Sequence, residues 1–534
     1  MFKAIILSLL PYFLVLSVAA QDLRDDFDGK SLGPAWSFVR EPDSSRFDLR
    51  KRAGMLALRG STVTLADTEV APVFVGRRLE GKDFAATASL EFLPARANET
   101  AGLALRKSER EYYEFGIRRN GTAREVYILA VIGSVRSIIA RERIPAGAVR
   151  LRVRGFPKYL RFSFAAATGE FIEIGGLETK PLNIETEPDK VFIGLFASGN
   201  GIESTADAYV DWFEYDPHPA DPYSDLVVND PSLPPGYTIF SVGAAEKGII
   251  QKYPFIRRPS SVVPDDIEVT KGAVYARYGD REMHGDVFRR KGRQLLPAVI
   301  IVHGGAWITG HYTMETPLAI ALAKRGYVAM TVEHRLSREK KYPAQIHDLK
   351  ASVRWLRANA NRFGIDPERI GAVGASSGGH LVTLLGATNE MPKFEGDGGN
   401  AGFSSRVQSV VDIDGTATFI DPGNIEKEIK GPWNTNTTLT GYAYAQNPEI
   451  WAEASPITHV NRKSAPTLFL NSSSNRPFQQ REEMSAKLRA LGISSEIVVV
   501  PDTPHPFWLF RPWFDTTVEN IDRFFQLTLN KARK

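Results

Sequence analysis

Arg369-Ile370-Gly371-Ala372-Val373-Gly374-Ala375-Ser376-Ser377-Gly378-Gly379-His380-Leu381-Val382-Thr383-Leu384-Leu385 decides how the C-terminal half of this chain is read. An apolar strand, a turn of small residues around one serine, and a helix-like run follow without a gap. Small neighbours let the backbone turn sharply and leave Ser376 Oγ exposed above a sheet. Upstream, Pro297 to Val302 is a second apolar strand that runs straight into His303-Gly304-Gly305-Ala306-Trp307. A loop of this kind presents backbone N–H groups to an oxyanion. Together the two segments point to a serine nucleophile, with Gly305, Ala306 and Ser377 as candidate N–H donors.

The chain between and around these motifs alternates. Gly272 to Tyr278 and His284 to Arg289 read as leading antiparallel strands. Thr313 to Arg325 reads as a helix, Tyr327 to Val332 as a buried strand, and Pro343 to Phe363 as a long amphipathic helix opened by proline. Strand and helix in alternation argue for a mostly parallel sheet covered on both faces.

A serine hydroxyl needs a base, normally a histidine oriented by a third group. Of nine histidines, His505 stands in the loop Pro501-Asp502-Thr503-Pro504-His505-Pro506-Phe507, directly after the predicted last strand Glu496 to Val500. His303 belongs to the oxyanion loop, and His334, His347 and His380 read as structural.

On the H-G-G-A-W loop and the G-A-S-S-G-G elbow, the chain resembles the α/β-hydrolase superfamily over roughly residues 260 to 530. It is most similar there to esterases that include many carbohydrate and feruloyl esterases. The resemblance implies the catalytic histidine at His505 and an aspartate after the penultimate strand, in a segment like H-G-x-x-D. Here Thr467 to Leu470 runs instead into Asn471-Ser472-Ser473-Ser474-Asn475, with no carboxylate. Some superfamily members supply the acid one strand earlier. This chain offers Asp412 and Asp414 at the end of a buried strand, expected to share a face by alternation. Asp414, nearer the C-terminal edge, is the preferred acid, with Asp412, Glu482, Glu483 or a Ser-His dyad as alternatives. Trp307 and Trp508 are candidate substrate-binding aromatics, and Trp513 reads as core. No metal and no cofactor is implied.

From Arg24 to about Pro217 the pattern changes to runs of β type separated by turns, among them Met55 to Arg59, Ala85 to Phe92, Tyr112 to Arg118 and Tyr159 to Ala165. With almost no helical periodicity, they predict an all-β sandwich. This half resembles the concanavalin A-like module at the C-terminus of glycoside hydrolase family 43 enzymes, on Asp25-Asp26-Phe27-Asp28, Leu32-Gly33-Pro34-Ala35-Trp36 and Ala208-Tyr209-Val210-Asp211-Trp212-Phe213. Trp36 and Trp212 are expected in its core rather than as sugar platforms.

At 534 residues the chain exceeds one core. The expected organisation is a signal peptide over 1–20, the sandwich over 21–217, a proline-rich connector over 218–264 and the hydrolase over 265–534. Lys3, the apolar run to Val18 and Ala19-Ala20 carry the signal expectation, hence a secreted or periplasmic protein. Zero cysteines exclude disulfides and thiolate metal sites, and a net charge of +4 with scattered arginines gives no nucleic-acid face. No other stretch predicts a membrane span. The combined expectation is a secreted serine esterase removing methyl or acyl groups from plant-type polysaccharide, pectin methylesterase-like or acetylesterase. The alternatives are feruloyl esterase, a glycan-binding protein with an inactive hydrolase half, and a peptidase of the prolyl-oligopeptidase type.

Overall fold

The computed structural model describes residues 23–169, 171–219, 239–292, 294–430, 434–474 and 480–529. The signal expected over 1–20 and residues 220–238 of the expected connector lie outside the described residues. The chain divides into two compact units, Met1–Pro219 and Ala220–Lys534.

The second unit is built on an eight-stranded sheet. Its strands are β1 (Ile267–Tyr278), β2 (Arg281–Arg290), β3 (Leu296–Val302), β4 (Val328–Val332), β5 (Ile365–Ala375), β6 (Ser409–Ile413), β7 (Thr467–Ser472) and β8 (Ser495–Val500). The spatial order is β1-β2-β4-β3-β5-β6-β7-β8. β2 is antiparallel to β1 and β4, while β3 to β8 run parallel. β4, β6 and β7 are buried along their whole length, as a sheet covered on both faces requires. Its helices include α1 (Thr316–Lys324), α2 (Ala344–Ala358), α3 (Ser377–Ala387), α4 (Arg481–Ala490) and α5 (Trp513–Leu529). Every residue of α3 is buried, which suits its apolar run and fixes it at the centre of the unit.

Residues 239–264, expected as connector, contain a helix over Val242–Ile249 capped by the Ser241 hydroxyl, which accepts the Ala244 N–H. Two glycines and only two turns gave it little periodicity. Phe240 N–H donates to Thr309 Oγ1 at 3.1 Å, so this segment lies beside the His303 loop.

The first unit is a two-sheet antiparallel sandwich. One sheet orders Ile172–Glu178, Tyr159–Ala166, Val149–Gly155, Phe84–Phe92, Asp207–Asp216, Leu56–Arg59 and Phe47–Asp48, with Arg24–Asp25 beside Asp207–Asp216. The other orders Val135–Arg143, Ala123–Ile132, Glu111–Asn120, Thr100–Ser108, Phe192–Ser198, Phe74–Arg78 and Ser37–Phe38. Trp36 is buried in the core and donates from Nε1 to Asp25 Oδ2 at 2.7 Å. Trp212 is not a core residue. The register of its strand against Phe84–Phe92 shifts between Val210 and Trp212, so Phe213 takes the inward position and Trp212 lies half-buried under the Arg24 guanidinium, 4.3 Å from its ring centroid. A bulge reverses side-chain parity in this way.

Glu99 ties the two sheets at one end, since it precedes Thr100–Ser108 of one and accepts from Thr205 N and Ala206 N, just before Asp207–Asp216 of the other. Ser204 and Thr205 hydroxyls and the N–H groups of Ala95 and Arg96 complete its shell. Burial alone raises its pKa, but these donors overcome burial and hold it at about 2. A depressed carboxyl contributes stability that is present above the unfolded value and lost as pH falls through the folded one. The sandwich should therefore weaken as pH drops from about 4.5 toward 2, and Glu99→Gln should remove most of that slope in melting curves recorded across the interval.

Candidate active site

Three loops at the C-terminal edge of the parallel strands converge on Ser376. Ser376 joins β5 to α3 with φ +54°, a left-handed conformation rare for a side-chain-bearing residue. Its N–H donates to Ile413 O at 2.8 Å and its carbonyl accepts the His380 N–H, so strand neighbour and helix hold the strained turn from both sides. The elbow must also lie close to β3: a methyl group on Gly378 would come within 2.2 Å of Val302 O.

His505, in the loop after β8, reaches Ser376. Its Nε2 is 2.9 Å from Ser376 Oγ, and its Nδ1 is 2.5 Å from Asp414 Oδ2. With a carboxylate at Nδ1, that nitrogen carries the proton and Nε2 is left to accept from the serine. Asp414 is 1% exposed and follows β6 at φ +54°. Ser472 at the end of β7 donates to it twice, from Oγ to Oδ2 at 2.7 Å and from N–H to Oδ1 at 3.1 Å. Next along, Ser473 and Thr503 exchange hydrogen bonds, N–H to hydroxyl in both directions at 2.9 and 2.8 Å, which anchors the His505 loop. The end of β7 thus supplies donors to the acid in place of an acid of its own.

Asp412 does not share the direction of Asp414. Its Oδ1 accepts from Gly415 N–H at 2.6 Å and its Oδ2 from the Thr383 hydroxyl at 2.9 Å, so it fastens α3 to the end of β6. Burial pushes its pKa up to about 7. The expectation of a common face fails because Asp414 lies past the strand end, in left-handed backbone where alternation no longer applies. Glu482 and Glu483 are exposed on the first turn of α4, beside Arg481 and Lys487. They are not brought to His505.

The loop after β3 passes directly against the elbow, for a methyl group on Gly304 would meet Ser376 Cβ at 3.2 Å. Gly305 has φ +130°, and an added Cβ there would lie 2.1 Å from Thr309 O, so glycine is required. Ala306 and Trp307 continue with φ +53° and +61°. Among the described residues no acceptor takes the N–H of Gly305, Ala306 or Ser377. Beneath, the His303 ring stacks on His334 at 4.5 Å, and burial holds its pKa well below the usual imidazole range. Both nitrogens of His380 are engaged, Nε2 with Ala454 O at 2.7 Å and Nδ1 with Trp307 Nε1 at 3.2 Å.

The two tryptophans expected to meet substrate do not line an open cleft. Trp307 is buried, packed edge-on against His380 and Phe419 in the core under the oxyanion loop. Trp508 is buried too, edge-on to His505 with ring centroids 5.3 Å apart. It shares a cavity of about 180 Å³ with Glu315, which burial pushes up to about 7. An aromatic two or three residues beyond a catalytic motif is equally compatible with propping the motif from behind, and local sequence does not separate the two. The missed contributors are Ser472, Ser473 and Thr503, whose roles depend on β7 and β8 being neighbours.

Asp414→Asn should lower kcat on p-nitrophenyl acetate about 10⁴-fold with little change in melting temperature, because the imidazole loses its charged partner. Asp412→Asn should keep kcat within a few-fold. Glu315 gives a pH signature: its folded pKa exceeds the unfolded value, so its contribution is full below about pH 4.5 and lost as pH rises through about 7. Glu315→Gln should relieve on the order of 3 kcal/mol at pH 8 and almost nothing at pH 4 in denaturant titrations.

Two family profiles match the chain. Residues 24–216 match the β-xylosidase C-terminal concanavalin A-like domain, and residues 286–488 match BD-FAE, a span that holds Ser376 and Asp414 and stops short of His505. Esterase LipC of Mycobacterium tuberculosis is 30% identical over 228 residues, 42% of this chain and 56% of its own. The non-reducing end α-L-arabinofuranosidase BoGH43B of Bacteroides ovatus is 33% identical over 198 residues, 36% of this chain and 37% of its own. The chain therefore spans about half of the first relative and about a third of the second. A solved bifunctional GH43-CE structure from Bacteroides eggerthii is 21% identical, with a TM-score of 0.45 over 94% of this chain and 66% of that one. The chain joins a concanavalin A-like domain of the β-xylosidase C-terminal family to an α/β-hydrolase esterase domain of the BD-FAE family.

Proposed function

We propose that the protein is a serine carboxylic ester hydrolase that acts on esterified polysaccharide and is exported. The observation that carries the chemistry is the unbroken relay from Ser376 Oγ through His505 to Asp414, at 2.9 and 2.5 Å. His505 Nε2 takes the hydroxyl proton as Ser376 Oγ attacks the ester carbonyl carbon, and Asp414 stabilises the imidazolium. The carbonyl oxygen becomes an oxyanion facing the N–H groups of Ser377 and of Gly305 or Ala306. As the tetrahedral centre collapses, the alkoxide leaves with the proton from His505, giving an acyl-serine and a free alcohol. Water then attacks the acyl-serine with its proton going to His505, which returns that proton to Ser376 Oγ as the acid is released.

The polysaccharide reading is supported by the fused sandwich, whose family description names β-xylosidase, and by a curated relative that is an arabinofuranosidase. Acyl or methyl release from a plant-type polymer fits both. Ser376→Ala should cut turnover of p-nitrophenyl acetate on the order of 10⁶-fold while the protein stays folded. A panel of acetylated xylan, methyl-esterified pectin and feruloylated arabinoxylan, read as acetate, methanol and ferulate, selects the ester. Turnover of the small ester with no release from any polymer would remove the polysaccharide part.

A further inference from the structure

The oxyanion hole is assembled from two separate pieces of chain, and the distance between them has to be fixed. One piece is the start of α3, which carries the Ser377 N–H. The other is the loop after β3, where Gly305, Ala306 and Trp307 follow one another at φ +130°, +53° and +61°. Left-handed backbone at two successive residues with side chains is costly and persists only where the surroundings impose it. The loop closes on itself through the N–H groups of Ile308 and Thr309, which donate to Gly305 O at 3.1 and 3.0 Å, and Ser337 N–H holds Trp307 O at 2.8 Å. None of these bonds reaches α3.

His380 makes that connection. Its backbone N–H donates to Ser376 O at 3.0 Å, which seats it in the first turn of α3. Its ring Nδ1 is 3.2 Å from Trp307 Nε1, and its Nε2 is 2.7 Å from Ala454 O. These partners select one tautomer. A carbonyl only accepts, so Nε2 carries the proton, and Nδ1 keeps the lone pair that the indole N–H needs. Phe419 stacks on the imidazole with ring centroids 4.6 Å apart, and Trp307 meets it edge-on, so the ring is held in this orientation. His380 is fully buried, and burial holds its pKa at about 4. A protonated ring would have two N–H groups and no acceptor for Trp307. An apolar side chain would fill the same space without the cost of burying two polar nitrogens. The imidazole is accounted for by what its Nδ1 holds.

We propose that His380 is the positioning residue of the oxyanion hole: its main chain holds the elbow that presents Ser377 N–H, and its Nδ1 holds the turn that presents the N–H groups of Gly305 and Ala306, so that donors from both pieces reach one oxygen. The proposal rests on the ester-hydrolase reading, because an oxyanion forms only when an ester carbonyl is attacked. A loop that has drifted still admits the ester but no longer matches the tetrahedral oxygen, so the loss falls on kcat rather than on KM.

The test compares His380→Leu, His380→Asn and Trp307→Phe in the full-length protein. The readouts are kcat and KM on p-nitrophenyl acetate and the inhibition constant of phenylboronic acid, a probe that adds to a nucleophilic serine and places an oxygen where the oxyanion forms. His380→Leu removes the acceptor and should lower kcat about tenfold to a hundredfold, with KM within a few-fold of wild type. The boronic acid should bind more weakly by a similar factor. Asparagine puts Oδ1 near the place of Nδ1, so His380→Asn should recover most of kcat, a rescue that a packing role would not show. Trp307→Phe keeps an aromatic ring and removes the N–H. It should match His380→Leu, and the double variant should be no worse than either single one. It also carries the test if His380→Leu does not fold. Wild-type kcat in folded His380→Leu or Trp307→Phe, a fall in kcat with boronic acid affinity unchanged, no recovery in His380→Asn, or multiplied losses in the double variant would each overturn the proposal. A wild-type protein that cleaves no ester would remove the hydrolase reading and the proposal with it, whereas normal wild-type turnover beside any of those results removes the proposal alone.

Discussion

Everything at the site depends on one steric constraint, the crossing of β5 and α3 around a left-handed serine. The turn is tight enough that only glycine fits at 378, against Val302 O. The strain at Ser376 is borne by hydrogen bonds outside the turn: its N–H goes to Ile413 on β6, and Asp412 holds α3 to the end of β6 through Thr383 and Gly415. β6 is therefore both the brace of the nucleophile and the strand that delivers the acid.

That double duty accounts for the unusual position of the acid. β6 adjoins β5 and β7, so a carboxylate at its end starts close to the serine. Left-handed backbone at Asp414 turns the side chain toward the His505 loop. The space at the end of β7 is then occupied by Ser472 and Ser473, which donate to Asp414 and to Thr503. The two Ser472 donors satisfy the Asp414 carboxyl group in an almost dry position, where an unsatisfied one would be costly.

The histidines divide by environment. His303, His334 and His380 are buried and their pKa values are held down by burial, to about 4 for the last two. They act as neutral packing and hydrogen-bonding groups that shape the oxyanion loop. His505 sits at the surface end of the relay, half-open to solvent and in contact with a buried carboxylate. One residue type serves as scaffold and as base because the dielectric around it differs.

Much of the architecture was legible in the chain because its signals are local. Small residues around Ser376, the strand-to-glycine step at His303 and the apolar strand before His505 are contiguous patterns, each tied to a backbone requirement. The sandwich strands with alternating or aromatic runs read the same way, while Val135–Arg143, mostly exposed at a sheet edge and rich in arginine, lacks the buried face that makes a strand visible. Sequence left the acid open among four carboxylates and a dyad, and it cast Trp307 and Trp508 as substrate contacts. Tertiary structure decided both. Which carboxylate meets His505 depends on the direction of a side chain beyond a strand end, and whether an aromatic faces cleft or core depends on what packs across from it, in Trp307's case His380 and Phe419 from distant parts of the chain. Such properties belong to pairs of segments brought together by folding, and neither segment records them alone.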